Sequence, residues 1–120
     1  MIFDHFNISA PKELLAQVRD FYCELFELEV GQRPNFNFDG YWLYCQSQAV
    51  IHLTQSDAHS ASNSLHYHDH IAFRMQNYQQ FKTRLTRLKI DFKEQTVPGT
   101  NTIQLFFYDP ADGKIEVLFR

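Results

Sequence analysis

A chain of 120 residues has the length of one domain, and an apolar fraction of 44% is enough to build a core. Its net charge of −3, with no basic stripe, excludes an electrostatic nucleic-acid footprint. No apolar run approaches bilayer thickness and no charged-then-apolar leader opens the chain, so a cytoplasmic protein without a membrane partner is expected. Cys23 and Cys45 lack the close spacing of a metal knuckle or a disulfide framework, and both are expected to be packing thiols.

Residues 2–8 alternate as a strand, with Ile2, Asp4, Phe6 and Ile8 against Phe3, His5 and Asn7. Ser9 can cap a helix, and Pro11 suits the first turn of one, where its missing N–H is not needed. Leu14, Leu15, Val18, Phe21, Tyr22, Leu25 and Phe26 keep helical spacing, which predicts a helix over 11–27. Strands are expected over 29–33, 41–45 and 49–55, with Asp39-Gly40 and 46–48 as turns. A polar, Ser-rich link covers 56–65.

The same order then repeats. A strand is expected over 67–75, Asn77 as a helix N-cap, and a helix over 78–89 with Tyr78, Phe81, Leu85 and Leu88 on one face. Strands over 90–96, 102–108 and 114–119 come next, with Pro98-Gly99 and 109–113 as turns. Alternation along the last strand sets Ile115, Val117 and Phe119 on one face and Glu116 and Leu118 on the other. The expected architecture is α+β: two βαβββ modules, 1–55 and 66–120, in a single domain over 1–120. They would make a curved eight-stranded mixed sheet with the helices on its convex side.

The duplication is visible in the letters. Asp4-His5 before Phe6-Asn7-Ile8 is echoed by Asp69-His70 before Ile71-Ala72-Phe73, and 70 − 5 = 65. Ile51-His52-Leu53 is echoed by Ile115-Glu116-Val117, and 116 − 52 = 64. A fixed internal period is the first thing to seek in a sequence, and two copies make a duplicated module rather than a solenoid. Three imidazoles and a carboxylate at repeat-related strand positions suit a divalent ion such as Zn, Fe, Ni or Co. Each histidine taken singly also reads as a polar residue bonded locally. Glu116, inside an apolar strand, would carry a large desolvation cost without a partner.

His66 and His68 share strand parity with His70 and could compete for the ion, but the match of Asp69-His70 to Asp4-His5 selects His70. His68 is expected near the rim, and His66 and His59 in solvent. Phe36, Phe38, Trp42, Tyr44, Phe107 and Tyr108 could line a pocket or simply pack the sheet. Arg33 and Arg74 could hold an anionic substrate group or lie in solvent.

Taken together, these segments resemble the vicinal oxygen chelate superfamily, which includes glyoxalase I, fosfomycin-resistance transferases, extradiol dioxygenases and bleomycin-resistance proteins. The resemblance spans the chain. It rests on His5, Phe21-Tyr22, Ala49-Val50-Ile51-His52-Leu53, Asp69-His70-Ile71-Ala72-Phe73, and Phe107-Tyr108-Asp109-Pro110 leading to Ile115-Glu116. It implies a divalent metal (Ni, Zn, Co, Mn or Fe) held by His5, His52, His70 and Glu116, with Glu116 and His52 as catalytic groups. Arg33, Phe38, Trp42 and Arg74 would then meet the substrate.

The chain looks most like short glyoxalase-I-like proteins, which implies a metal-dependent lyase or isomerase acting on a small molecule that chelates through two oxygens. An Fe(II) extradiol-type dioxygenase and a non-catalytic drug-binding protein are the alternatives. The positions at which glyoxalase I carries an Arg and an Asn for glutathione hold Ser9 and Ser56, a departure from the glutathione pattern. A homodimer is also implied, with the site built within one chain or across two.

Overall fold

The computed structural model describes residues 2–60, 67, 68 and 70–120. The chain divides into two compact units, Met1–Ser62 and Asn63–Arg120. The sequence readings for Asp69, His66 and residues 61–65 of the Ser-rich link lie outside the described residues.

The first unit runs β1 (Phe6–Ala10), α1 (Lys12–Phe26), β2 (Glu29–Gly31), β3 (Gly40–Cys45) and β4 (Gln48–Gln55). Its mixed sheet has the order β1-β4-β3-β2, with β1 parallel to β4 and the other pairs antiparallel. The second unit runs β5 (Ile71–Arg74), α2 (Tyr78–Arg87), β6 (Lys93–Thr96), β7 (Ile103–Tyr108) and β8 (Lys114–Phe119). Its order is β5-β8-β7-β6, again with one parallel pair, β5 with β8. The expected α+β fold of two βαβββ modules is therefore present as two four-stranded mixed sheets and two helices.

The internal period survives as register. Asn7 lies opposite His52 and Ala72 lies opposite Glu116. The differences, 72 − 7 = 65 and 116 − 52 = 64, are those of the sequence echo. In each module the first histidine lies two residues ahead of that pair.

Each core follows from alternation. Leu43, Ile51 and Leu53 are fully buried from the first sheet, beneath Leu15, Val18, Tyr22 and Leu25 of α1. These four helix residues follow the spacing that puts one stripe of a helix against a sheet. In the second unit Leu105, Phe107, Ile115 and Val117 are buried with Phe81 and Leu85 of α2. The Phe81 ring meets Phe107 at 6.2 Å and Phe119 at 5.7 Å. No helix among the described residues is long and apolar enough to cross a membrane.

Element ends differ from expectation where something else satisfies the backbone. The first strand begins at Phe6, not residue 2, because the Asp4 carbonyl accepts from the Gln48 side chain rather than from a ladder partner. Ser9 lies inside β1 and caps nothing; Pro11 itself holds the N-cap position of α1. Asn77 is the N-cap of α2, in a left-handed conformation and without a side-chain cap bond. β6 begins at Lys93 because Lys89 turns left-handed (φ 57°) and the Ile90 N–H bonds back to the Leu85 carbonyl, so the chain is still leaving the helix. β5 covers only Ile71–Arg74, which leaves His70 just ahead of it. Cys23 is half-buried and burial pushes its thiol pKa up, whereas Cys45, at the exposed end of β3, is not the packing thiol expected.

Candidate metal-binding residues

In the first unit the alternation that buries Ile51 and Leu53 turns His52 to the other face of β4. Trp42 lies directly across on β3, and the two rings stack at 4.0 Å with planes 8° apart. His5 stacks on the far side of His52 at 3.7 Å and 15°. Three flat rings thus lie in a row across β3, β4 and the residue leading into β1.

The Asp4 carboxylate sits 2.5 Å from His5 Nδ1. Assigning the proton to Nδ1, so that it donates to Asp4, leaves the Nε2 lone pair of His5 available as a ligand. Burial lowers the pKa of His52, and the neighbouring His5 lowers it further. Both effects favour the neutral imidazole, which is the form that binds a metal.

In the second unit Glu116 is only 6% exposed although it sits between Ile115 and Val117, which are fully buried. The missing partner that its burial demands is double. His70 Nε2 lies 2.9 Å from Oε2, and Gln104 Nε2 donates to Oε1 at 2.6 Å. Gln95 Nε2 in turn donates to Gln104 Oε1 at 2.9 Å, so a line of polar groups crosses β6, β7 and β8 to His70. Phe106, opposite Glu116 on β7, sets its ring at right angles to that of His70, 6.0 Å away. Among the described residues no buried side-chain nitrogen or oxygen lacks a partner.

Sequence reasoning missed Gln104 and Gln95. A signal was there: Gln104 interrupts the apolar run from Ile103 to Phe107 with the parity of Phe106.

The sequence candidates therefore fall into two intramodular pairs, His5 with His52 and His70 with Glu116. The donor set, imidazole nitrogens and one carboxylate, fits a borderline divalent ion. His70 and Glu116 already aim a nitrogen and an oxygen at each other. His5 and His52 lie face to face in near-parallel planes 3.7 Å apart, so one ion cannot lie in the plane of both unless a ring turns out of the stack. Within either unit, no group of three or more His, Cys, Asp or Glu among the described residues is arranged to hold an ion.

The Arg33 guanidinium lies over the rings of Phe36 (4.9 Å) and Phe38 (5.1 Å), and its Nη2 donates to the Phe38 carbonyl at 2.8 Å. Phe36 and Phe38 stack on each other at 5.0 Å and stay partly exposed, and Phe36 reaches Trp42 at 6.4 Å. A cationic and aromatic path thus leads from Arg33 to the His52–His5 stack. Arg74 is exposed and lies opposite Leu118, which shares the Glu116 face of β8.

Phe107 packs with Leu105 into the core under Phe81, and with Phe106 and Tyr108 it also contributes to the wall of a groove in the second unit. Tyr44 has a structural task, donating to the Gln32 carbonyl at 2.5 Å while its ring covers Gly31. His68 is exposed, and His59 Nδ1 lies 2.8 Å from the Ser56 hydroxyl.

No family model and no curated protein sequence matches the chain. Solved structures do. One, described as a glyoxalase family protein from Bacillus anthracis, is 24% identical with a TM-score of 0.77, covering 100% of this chain and 95% of that one. The fosfomycin resistance protein FosX from Listeria monocytogenes is 17% identical with a TM-score of 0.76, covering 100% and 93%. Lactoylglutathione lyase from Agrobacterium tumefaciens is 19% identical with a TM-score of 0.70, covering 98% and 92%. All three belong to the vicinal oxygen chelate superfamily, and the likeness is one of fold.

Proposed function

On the vicinal oxygen chelate fold that this chain shares, we propose a metal-dependent enzyme of glyoxalase-like lyase or isomerase type. Its substrate is a small molecule presenting two neighbouring oxygens. The observation that supports this reading best is Glu116, a buried carboxylate with an imidazole on one oxygen and an amide on the other. We read such a group, held in an apolar strand, as serving chemistry as well as packing.

The proposed ligands are His5, His52, His70 and Glu116, for a Ni, Zn, Co, Mn or Fe ion. When bound, the ion supplies Lewis acidity to the two substrate oxygens. Gln104 holds Oε1 of Glu116, so Oε2 is the oxygen that exchanges His70 for a proton on the carbon beside a substrate carbonyl. His52, kept neutral by burial and by His5, serves as a ligand or passes a proton. Trp42 and Phe38 offer flat apolar contact, and Arg33 and Arg74 meet an anionic group. A homodimer in the cytoplasm completes the proposal.

The test is metal analysis of the purified protein joined to a turnover screen of α-oxoaldehyde adducts and related 1,2-dioxygen compounds with oxygen removed. Turnover that needs the metal and persists without O₂ is expected. Turnover that stops without O₂ would move the protein to the dioxygenases, and an absence of metal affinity would move it to the drug-binding class.

Gln104→Leu provides a sharper check on Glu116. It leaves Oε1 buried without its donor, so metal affinity should fall by about 10–100-fold, as is usual when a ligand loses its outer partner. Calorimetric titration with Zn(II) reads this directly, and an unchanged affinity would remove Gln104 from the site.

A further inference from the structure

The orientation of one amide decides whether Glu116 is met by a donor or by an acceptor. Gln104 lies opposite Leu118, on the sheet face of Glu116, and reaches the carboxylate diagonally. A glutamine amide carries N–H donors at one end and a carbonyl acceptor at the other, on a nearly symmetric fork. An ionised carboxylate only accepts, so Gln104 turns Nε2 to Glu116 and its own Oε1 faces β6. The same amide turned over would set oxygen against oxygen.

Gln95 is what meets that Oε1. It lies directly across on β6, and its Nε2 donates at 2.9 Å. β6 is an edge strand and all four of its residues are exposed, so packing does little to hold it. Its other face is tied to α2 instead. Glu94 accepts from the Tyr78 hydroxyl at 2.5 Å and lies 3.0 Å from the Lys82 ammonium. Alternation then sends Gln95 to the face opposite to Glu94, beside Gln104.

We propose that Gln95 is a positioning residue. By supplying a donor to Oε1 of Gln104, it fixes that amide with its N–H end toward Glu116 and so holds the carboxylate ready as a ligand. Gln95 acts through Gln104 and not on the ion. The inference rests on the metal-dependent reading above and adds the residue that sets the polarity of the line leading to Glu116.

The test changes what position 95 can offer. Gln95→Lys keeps a donor. Gln95→Glu offers only acceptors, which draws the Gln104 N–H groups to β6 and turns its carbonyl toward Glu116. Charge alone predicts the opposite order: a carboxylate two strand spacings from Glu116, about 10 Å, favours a cation there, and an ammonium disfavours it. In calorimetry on the full-length protein, Gln95→Glu should bind Zn(II) about tenfold more weakly than wild type, and Gln95→Lys should stay within about threefold. On a Gln104→Leu background, Gln95→Glu should cause no further loss. In the metal-free protein, nuclear Overhauser contacts from the Gln104 side-chain amide protons to the Glu116 γ-methylene should appear in wild type and Gln95→Lys and vanish in Gln95→Glu. Gln95→Glu that binds zinc as well as wild type, Gln95→Lys that binds as weakly as Gln95→Glu, a full loss on the Gln104→Leu background, or contacts that persist in Gln95→Glu would each overturn the proposal. A wild-type protein without zinc affinity would sink the metal-dependent reading, and the metal-free contacts would still decide whether Gln95 orients Gln104.

Discussion

Glu116→Ala should reduce Zn(II) or Ni(II) affinity by more than the roughly 10–100-fold that loss of an outer-shell partner costs, while the protein stays folded. Glu116 supplies the only carboxylate among the four proposed ligands, and with it the charge that offsets a divalent ion. The change also strips His70 Nε2 and Gln104 Nε2 of the acceptor they share. Folding should survive because the core face of β8 is made by Ile115, Val117 and Phe119, which the substitution leaves in place. Calorimetric metal titration beside a thermal melt separates the two quantities. Wild-type affinity in Glu116→Ala would show that β8 carries no ligand. Lost affinity together with an unfolded chain would call for Glu116→Gln, which keeps volume and removes charge.

The largest loss of stability is expected on the other face of the same strand. Phe81 is 2% exposed and joins α2 to β7 through Phe107 and to β8 through Phe119. Truncating a ring so enclosed removes its transfer free energy and leaves a cavity that a helix on a sheet closes poorly. Phe81→Ala should cost about 3–5 kcal/mol. Tyr67→Ala, at an exposed position, should stay within about 0.5 kcal/mol. Urea denaturation of both variants checks the contrast, and a loss under about 1 kcal/mol for Phe81→Ala would mean that α2 does not anchor this sheet. The two substitutions bear on one design. Period-2 alternation gives β8 a packed face that fixes its position and a polar face on which Glu116 is held.

Alternation and the 64–65-residue echo made most of the fold legible, because both are properties of residue order alone. The echo located His5, His52, His70 and Glu116, and the register of β1 with β4 and of β5 with β8 keeps it in space. Strand ends were less legible, because they depend on which group meets each backbone N–H and C=O. The Gln48 side chain at the Asp4 carbonyl is one case, and the Ile90 N–H returning to α2 is another. Phe107 could be read either as a pocket residue or as sheet packing, and it is both: its parity with Leu105 buries it, and one edge meets a groove. Gln95 and Gln104 stayed hidden because an amide on a strand reads as solvated until the carboxylate it serves is seen beside it. The Trp42–His52–His5 stack depends on ring orientation, which residue order does not encode.

That stack makes the metal claim directly measurable, because Trp42 is the only tryptophan in the chain. Zn(II) is titrated into the full-length protein while Trp42 emission and bound zinc are followed together. The expected result is one ion per chain, with an emission change that ends at the same equivalence point as one imidazole ring leaves the stack. Both signals should be lost in His70→Ala. Zinc uptake that persists in His70→Ala, or a protein that takes up no zinc, nickel, cobalt, manganese or iron, would contradict the account.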